Sequence, residues 1–482
     1  MPNDHDLVII GGSLAGYQAA LAATELGAKV ALVEPQAHYE INYHHVLRGV
    51  GKITNYSRLG ANIGLDYSQL AAKSHLSDHW QETILYARSV AANLIEQHSL
   101  ANLAAHGVDI ILGSGEFQTS PQLGFKVNQR LLQGRIYLLA CGSRPAIPDI
   151  DGLEKTGYLT LENIWPYLSQ KHPPGNLVIL GGVPQSLEIA QTLAYFGYKI
   201  TLICDQTHLS KYLEPEISQL LIAQLEADGV TVLNDIEVTQ VRQIGDKKWL
   251  QAGDKAMETE EIIIATGQQP NVSSLNLSTV GVKYNSRRIF VNEHLQTTNQ
   301  RIYACGDIIG GYSLTNIANY EAYTAIHNAL FLPQTKINYQ CLPWVISTQP
   351  MAAKVGLTAA QANQRYDKSR IFICKQYYKS LTTAQMHNEI TGICKLVVLE
   401  SGEILGCSIF GAEAGELINI IALAMSKQVK VNDLVNLAPA YPGFGEILSQ
   451  TAREWHKQKL HQNHLLQELI QSFLHFRRDW NW

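Results

Sequence analysis

The chain has 482 residues, of which 46% are hydrophobic and 16% are charged, and its formal net charge is -5. This length predicts about three domains, and no apolar run reaches the ~20 residues that a membrane-spanning helix needs. A slightly acidic chain without a long basic block excludes nucleic acid as the main partner. The opening MPNDHDLVII is typical of a first strand, not a signal peptide, so we expect a cytoplasmic protein without an integral membrane segment.

The stretch from Val8 to Pro35, VIIGGSLAGYQAALAATELGAKVALVEP, has the pattern of a βαβ unit that binds a dinucleotide. Gly11 permits the tight turn, and the start of the following helix offers free N–H groups to a pyrophosphate. Glu34, at the end of the second strand, is placed to accept hydrogen bonds from a ribose. The middle glycine of GxGxxG is replaced by Ser13, a small change. The predicted cofactor-binding residues here are Gly11, Gly12, Ser13, Leu14, Ala15, Gly16, Glu34 and Pro35.

A second strand, glycine turn and helix begin at Asn176 with NLVILGGVPQSLEIAQTLAYFGYKITLICD. This copy is poorer, because Val183 and Ser186 replace two glycines and Pro184 has no N–H for a phosphate. Asp205 is the candidate ribose acceptor, and no basic residue lies beside it for a 2'-phosphate, which slightly favours NAD over NADP. A domain that has kept this fold and lost its ligand is the open alternative.

The seven cysteines, at 141, 204, 305, 341, 374, 394 and 407, include no CxxC or CxxxxC pair. Most of them lie in apolar, strand-like runs. They are therefore predicted to be reduced core residues, and no metal site is predicted.

Four later stretches extend the pattern to most of the chain. LLACGSRPAIP from Leu138 resembles a turn of sequence ATGSxPxxP, and IIIATGQQPN from Ile262 resembles ATGRxPN. RIYACGDI from Arg301 resembles a strand with a GD motif, and the region from Leu342 resembles a C-terminal dimerisation domain. From about residue 5 to about residue 455 the chain resembles the pyridine nucleotide-disulfide oxidoreductase family.

This resemblance implies an α/β protein with two Rossmann-like dinucleotide-binding domains, for FAD and NAD(P), and a C-terminal α+β dimerisation domain. It implies a homodimer that binds FAD and uses NAD(P)H. The further residues implied at the FAD are Glu116, Ala140, Cys141, Gly142, Gly306 and Asp307, and those at the nicotinamide nucleotide are Gly181, Gly182, Glu188, Asp205 and Gly267. The expected domains are 1–150 with 272–335 for FAD, 151–271 for NAD(P), 336–455 for dimerisation, and a helical tail at 456–482.

The chain departs from the family where the family carries its redox-active CxxxxC pair. Asn42 and Leu47 stand near the two cysteine positions, so no thiolate is expected there. The family's catalytic histidine is replaced by Tyr441, although Glu446 remains, and an ordinary tyrosine is a poor base at neutral pH. Mercuric reductases also carry a tyrosine near this place, but without paired cysteines mercury(II) capture is not supported.

Other polar groups are candidates for the remaining chemistry. Lys52 lies within one position of the lysine that pairs with Glu188 in the family, with a surface lysine as the alternative. His44 and His45 are candidate acids or bases beside the flavin, or else packing residues. The prediction is an FAD-dependent enzyme that passes electrons from NAD(P)H to a small non-disulfide acceptor. The alternative is a non-catalytic flavoprotein that acts as a sensor or interaction protein.

Overall fold

The computed structural model describes residues 4–34, 46–51, 80–120, 122–170, 175–204, 213–311 and 313–480. It divides into two compact units. Unit 1 comprises Met1–Ile203 with Ile236–Ile337, and unit 2 comprises Cys204–Asp235 with Asn338–Trp482.

Strands and helices alternate through much of the chain. The strands are β1 (His5–Ile10), β2 (Val30–Glu34), β3 (Asp109–Leu112), β4 (Gly115–Gln118), β5 (Gly124–Val127), β6 (Arg130–Leu132), β7 (Gly134–Leu139), β8 (Ser143–Pro145), β9 (Leu159–Thr160), β10 (Asn176–Leu180), β11 (Lys199–Cys204), β12 (Val230–Asn234), β13 (Val238–Ile244), β14 (Lys247–Ala252), β15 (Lys255–Thr259), β16 (Glu261–Ile264), β17 (Gln268–Pro270), β18 (Ile302–Ala304), β19 (Trp344–Ile346), β20 (Met351–Gly356), β21 (Ile371–Tyr377), β22 (Ile393–Leu399) and β23 (Ile404–Gly411).

The helices are α1 (Leu14–Glu25), α2 (Trp80–Gln97), α3 (Leu100–Ala105), α4 (Leu153–Thr156), α5 (Ile164–Gln170), α6 (Pro184–Tyr195), α7 (Pro215–Ala227), α8 (Thr315–Leu330), α9 (Ala359–Arg365), α10 (Thr382–Met386), α11 (Ala414–Ser426), α12 (Val431–Val435), α13 (Glu446–Gln462) and α14 (His464–Asp479). A further helical segment occupies residues 46–51.

The first sheet of unit 1 is parallel and has the strand order β18-β7-β1-β2-β3. Its central strand β1 is apolar from Leu7 to Ile10 and buried along that run, as expected for a strand covered on both faces. Strand β1 pairs with β2 on one side and with β7 on the other. The carboxyl ends of β1 and β7 therefore flank a topological switch point, where open α/β sheets bind ligands.

The second sheet repeats this arrangement. Its unit 1 strands are parallel in the order β11-β10-β16-β9, with β10 between β11 and β16. Smaller antiparallel sheets, β4-β5-β6, β13-β14-β15 and β17-β8, complete unit 1.

Unit 2 contains an antiparallel sheet of order β19-β20-β23-β22-β21. Helices α11 and α13 cover one face, and buried Ile418, Ile421, Ile447 and Trp455 belong to that core. On β22, Lys395 bridges Glu214 and Glu216 at 2.8 Å each.

The predicted fold class, two Rossmann-like units followed by an α+β domain, is confirmed. The tail predicted to be helical forms the end of α13 and all of α14. The individual domain boundaries remain predictions. Within the part of the chain described, no helix is both long and apolar enough to traverse a bilayer.

Candidate active site

The first glycine turn joins the end of β1 to the start of α1. Gly11 has a φ of +107°, and a Cβ there would collide with the backbone of Ala140 and Cys141 at the end of β7. At Gly16, a Cβ would collide with the carbonyl oxygen of Gly11. Strand, turn and helix thus approach as closely as their backbones allow, which is the geometry that a pyrophosphate cradle requires.

Ser13 is the N-cap of α1 and holds this turn in place. Its hydroxyl donates to the Ala140 carbonyl at 2.8 Å and accepts from the Gly16 N–H at 3.3 Å. The serine that replaces the middle glycine therefore has a structural role of its own. Leu14 and Ala15 follow in the first turn of the helix.

Glu34 ends β2 beside this turn and accepts a hydrogen bond from the Gly12 N–H. The carboxylate and the N–H groups of the turn are therefore within reach of one ligand, as the ribose and pyrophosphate of a dinucleotide require. The same carboxylate acts on Cys141, whose pKa is raised to about 12 by burial and by the negative charge of Glu34. The Cys141 thiol contacts the Ile10 carbonyl at 3.1 Å and is protonated at neutral pH.

Asp307 follows β18, the neighbour of β7, so it lies at the same edge of the sheet. The hydroxyls of Ser143 and Ser313 both donate to its Oδ2, at 2.9 and 2.7 Å. The other oxygen, Oδ1, has no hydrogen bond within the described residues and is left for a ligand hydroxyl. Gly306 precedes it with a φ of +77°, and its N–H donates to Glu321 of α8 at 2.6 Å.

The predicted FAD residues are thus brought together from β1, β2, β7 and β18. Gly142, with a φ of +65°, continues the turn after Cys141. Glu116 lies apart from this edge on β4, exposed and paired with Lys126 of β5. Pro35 lies outside the described residues. Ser143, Ser313 and Glu321 were not predicted from the sequence. Ser143 lies within the LLACGSRPAIP stretch and could have been found there, whereas no motif around Glu321 points to its contact with Gly306.

The second glycine turn joins β10 to α6. Gly181 has a φ of +141°, and a Cβ there would collide with the carbonyl of Ala265 at the end of β16. Gly182 and Val183 follow, and Pro184 occupies the start of the helix, with Val183 as an N-cap that makes no side-chain hydrogen bond. Val183 Cγ1 lies 4.0 Å from the position of a Cβ on Gly267, so its side chain lies between the ends of β10 and β16.

Ser186 takes the third glycine position of this turn and is completely buried. Its hydroxyl lies 2.6 Å from the Val183 carbonyl and 3.0 Å from that of Gly181. The turn thus accommodates the larger side chain, and the serine hydrogen-bonds to the turn itself. Asp205 lies outside the described residues.

Glu188 of α6 is a buried carboxylate at 4% exposure. The cation that the structure places near it is Arg48, on the helical segment 46–51. Burial lowers the pKa of Arg48, and the charge of Glu188 opposes that shift. Predicted Lys52, His44 and His45 lie outside the described residues. Arg48 lies four positions before Lys52, the residue that family spacing favoured. Its basic side chain was the one feature of the sequence that could have identified it.

The same helical segment is fixed by two further contacts. Leu47, near the second cysteine position of the family, has no exposed surface. A Cβ on Gly51 would lie 3.2 Å from the ring of Tyr195, seven residues after Glu188 on α6. The segment therefore packs along α6, and Arg48 is held where it can interact with Glu188.

Tyr441 and Glu446 lie in unit 2. Tyr441 is 70% exposed, and Glu446 begins α13 and accepts from the Gly443 N–H at 3.4 Å. No hydrogen bond joins the two side chains among the described residues. Tyr441 is therefore presented on the surface of its own chain.

Comparisons with known proteins agree with this architecture. Residues 5–322 match the pyridine nucleotide-disulphide oxidoreductase family, and residues 342–452 match its dimerisation domain. A mercuric reductase of Staphylococcus aureus is 30% identical over 94% of this chain and 83% of its own length, and a dihydrolipoyl dehydrogenase of that organism is 26% identical over 94% and 97%. The Cu(II) complex of the HOCl-induced flavoprotein disulfide reductase RclA of Escherichia coli has a TM-score of 0.80 at 22% identity, covering 94% of this chain and 99% of RclA.

The chain belongs to the pyridine nucleotide-disulphide oxidoreductase family. Members of this family are FAD-dependent oxidoreductases that use NAD(P)H. The glycine turn, Glu34 and Asp307 fit FAD, because they combine a close backbone approach with two carboxylates at the edge of one sheet.

Proposed function

We propose that this protein oxidises NAD(P)H and reduces a small acceptor that is not a disulfide. The observation that carries the proposal is the segment 46–51, where the fully buried Leu47 stands near the second cysteine position of the family. A disulfide reductase needs a thiolate at this place. A leucine can neither attack a disulfide nor bind a metal.

The cysteines elsewhere give no replacement nucleophile. Burial is the first cause of raised pKa values at five of them, which keeps these thiols protonated at neutral pH: Cys141, Cys305, Cys341, Cys374 and Cys407. None of the seven cysteines forms a disulfide within the described residues. A dithiol that cycles between reduced and oxidised forms usually has at least one thiol with a depressed pKa.

Bound FAD supplies the two-electron redox centre, and the protein supplies orientation and electrostatics. The N–H groups of the first glycine turn would hold the pyrophosphate, Glu34 would hold the adenosine ribose, and Asp307 would accept from a hydroxyl of the ribityl chain. The two serine hydroxyls donate to Oδ2 of Asp307, which restricts its rotamer and leaves Oδ1 for the ligand.

Arg48 and Glu188 are the residues that we assign to positioning the nicotinamide. Their opposite charges in a buried environment fix each other's orientation, and Glu188 is held on a buried helix face. The resemblance to the family implies a lysine and a glutamate in this role. We assign the cation to Arg48, because the charge of Glu188 counters the lowering of the Arg48 pKa by burial, which requires the two side chains to lie near each other.

The overall reaction that fits these groups transfers two electrons. NAD(P)H gives up a hydride and becomes NAD(P)+, and an acceptor such as a quinone gains two electrons and two protons, one of which comes from solvent. His44, His45 and Tyr441 remain candidate proton donors, Tyr441 together with Glu446 from the neighbouring subunit. NADH is the slightly favoured donor, with Asp205 as its ribose acceptor.

Anaerobic mixing of the purified flavoprotein with NADH or NADPH tests this proposal. We expect either nucleotide to bleach the flavin absorbance, and a quinone to restore it. Oxidised glutathione and oxidised lipoamide should not restore it. Reoxidation by either disulfide at a rate similar to that of the quinone would contradict the proposal.

A non-catalytic flavoprotein, acting as a sensor or interaction protein, is the second candidate. It is favoured by Val183, whose side chain lies between the ends of β10 and β16, and by Pro184, which removes one N–H from the start of α6. In that case NADH and NADPH leave the flavin spectrum unchanged while dithionite reduces it normally.

A further inference from the structure

Helix α14 carries an apolar face that the described residues of its own chain leave uncovered. The apolar side chains with 41% to 74% exposure are Leu465, Leu469, Ile470, Phe473, Leu474, Phe476 and Trp480. Soluble monomers rarely expose an apolar patch beyond a few hundred Å². A helix of this length is only marginally stable without packing, so a partner surface is expected.

The spacing of these residues is that of helix pairing. Leu469, Phe473, Phe476 and Trp480 follow one another at intervals of four, three and four residues. Alternating intervals of three and four place side chains along the seam of a two-stranded coiled coil. The flanking Leu465 and Ile470 widen that seam.

The charges of the helix favour a protein partner over a membrane surface. Glu468 and Asp479 balance Arg477 and Arg478, and the polar face otherwise carries uncharged residues such as Gln471 and Ser472. Helices that lie on anionic membranes have a polar face rich in lysine and arginine. Here both arginines are confined to the last turn, where they also complement the helix dipole.

The helix continues directly from the dimerisation domain. The family's dimerisation-domain match ends at residue 452, within α13, and the first half of α13 is buried in the core of unit 2. After Asn463 the chain turns into α14. On α11 of the same unit, Ile420 and Leu423 are exposed as well. Exposed apolar side chains thus occur both on α14 and in the domain whose family role is association with a second copy.

We propose that the apolar face of α14 packs against α14 of a second copy of this chain. The pairing would extend the association of two subunits beyond the dimerisation domain, through the seam formed by Leu469, Phe473, Phe476 and Trp480. This proposal does not depend on the electron acceptor or on the nicotinamide site.

Cysteine cross-linking of the full-length flavoprotein tests the pairing. Leu469→Cys, Phe473→Cys and Phe476→Cys lie on the seam, whereas Glu468→Cys, Gln471→Cys and His475→Cys are matched controls off the seam. Under mild oxidation with diamide, we expect at least one seam variant to form a reducible covalent dimer at least fivefold faster than every control and the unsubstituted protein. Flavin content identifies the variants that have folded.

The pattern of cross-linking also gives the orientation of the helices. Parallel helices bring all three seam positions into register, whereas antiparallel helices bring together the position nearest the crossing point. Adding Phe473→Glu to Leu469→Cys and to Phe476→Cys should slow any cross-linking that depends on the seam by at least fivefold. Cross-linking that is unaffected by this charge would contradict the proposal.

Equal cross-linking by seam and control variants would also overturn the pairing, as would the absence of cross-linking in all of them. Flotation of the unsubstituted protein with vesicles of phosphatidylcholine and phosphatidylglycerol separates two explanations of that failure. Binding to vesicles would assign α14 to a lipid surface, and its absence would assign the face to a different protein. Either result would replace self-pairing.

Discussion

The two glycine turns of unit 1 have the same close contact between neighbouring strands. They differ in the residues at the start of the following helix. Gly11 and Gly181 both have positive φ, and a Cβ on either would strike an equivalent carbonyl, that of Ala140 or Ala265. This requirement comes from the fold, since both collisions are with the protein's own backbone.

The start of the helix is different in the two turns. In the first turn, Gly16 leaves no space for a side chain, and Ser13 caps the helix. In the second, Ser186 fits within the turn, and Val183 replaces the capping serine. The comparison teaches that a glycine enforced by strand packing is a sign of the fold, whereas the residues at the helix start are the better sign of ligand binding.

Substituting alanine at the equivalent third positions should give the largest contrast. Gly16→Ala places a methyl group against the Gly11 carbonyl, and we expect a loss of about 3 kcal/mol in FAD binding, or about a hundredfold in affinity. Ser186→Ala is the matched control, losing a hydrogen bond worth about 1 kcal/mol of stability while keeping FAD. Flavin content and FAD titration measure both. Equal loss of FAD in the two variants would contradict the distinction between the turns.

Neutralising Glu188 should affect the proposed nicotinamide site and leave the FAD site intact. Glu188→Gln removes the negative charge that stabilises the buried Arg48 guanidinium, and we expect a cost of about 1–2 kcal/mol, seen as roughly a tenfold slower reduction by NADH. The same change at exposed Glu258 is the control. Stopped-flow flavin bleaching measures the rate.

Adding Arg48→Met to Glu188→Gln should recover part of any stability lost by Glu188→Gln, because it also removes the buried positive charge that Glu188 stabilises in the unsubstituted protein. Urea unfolding measures the recovery. A double variant whose stability equals the sum of the two single effects would mean that the residues do not interact.

Removing the Val183 side chain should make the second glycine turn more like the first. Val183→Gly removes the side chain near Gly267 and also supplies a better N-cap residue, so we expect NADH reduction to quicken by roughly fivefold, or about 1 kcal/mol. Anaerobic flavin reduction at subsaturating NADH measures the change. An unchanged rate would remove crowding by Val183 as an explanation for a weak nicotinamide site.

A pH dependence should be specific to the first turn. Burial, with Glu34, raises the Cys141 pKa from 9.0 to about 12, so the folded protein holds this proton more tightly than the unfolded chain. The resulting stability is present below about pH 9 and is lost as pH rises toward 12, by at most about 1.4 kcal/mol per pH unit.

Cys141→Ser should flatten this dependence in urea unfolding measured between pH 8 and 10. Thr266 occupies the corresponding position in the second turn and does not titrate in this range, so Thr266→Ser is the control. A slope that is the same in the unsubstituted protein and in Cys141→Ser would refute the assignment to the thiol.

Much of the fold could be predicted from sequence because strand, turn and helix are close neighbours along the chain. The patterns after Val8 and Asn176 gave the two nucleotide-binding folds, whereas the role of Asp307 at the FAD stays a prediction from the GD motif. The helical tail expected at 456–482 forms the end of α13 and all of α14. These features depend on local periodicity and on steric limits that each segment carries within itself.

The supporting contacts could not be predicted, because they join residues far apart in sequence. Glu321 reaches Gly306 from the next helix, and Ser313 shares Asp307 with Ser143. Arg48 was missed because family spacing directed attention to Lys52, and a shift of about one helical turn depends on how the segment packs along α6. Such packing is decided by side-chain shape, here by Leu47 and by Gly51 against Tyr195.

Leu47 is fully buried, so replacing it with a cysteine would remove a large enclosed side chain. The resulting cavity would destabilise the helical segment 46–51, which also carries Arg48. A thiol introduced at position 47 would therefore disturb the packing of the cation that we assign to the nicotinamide site.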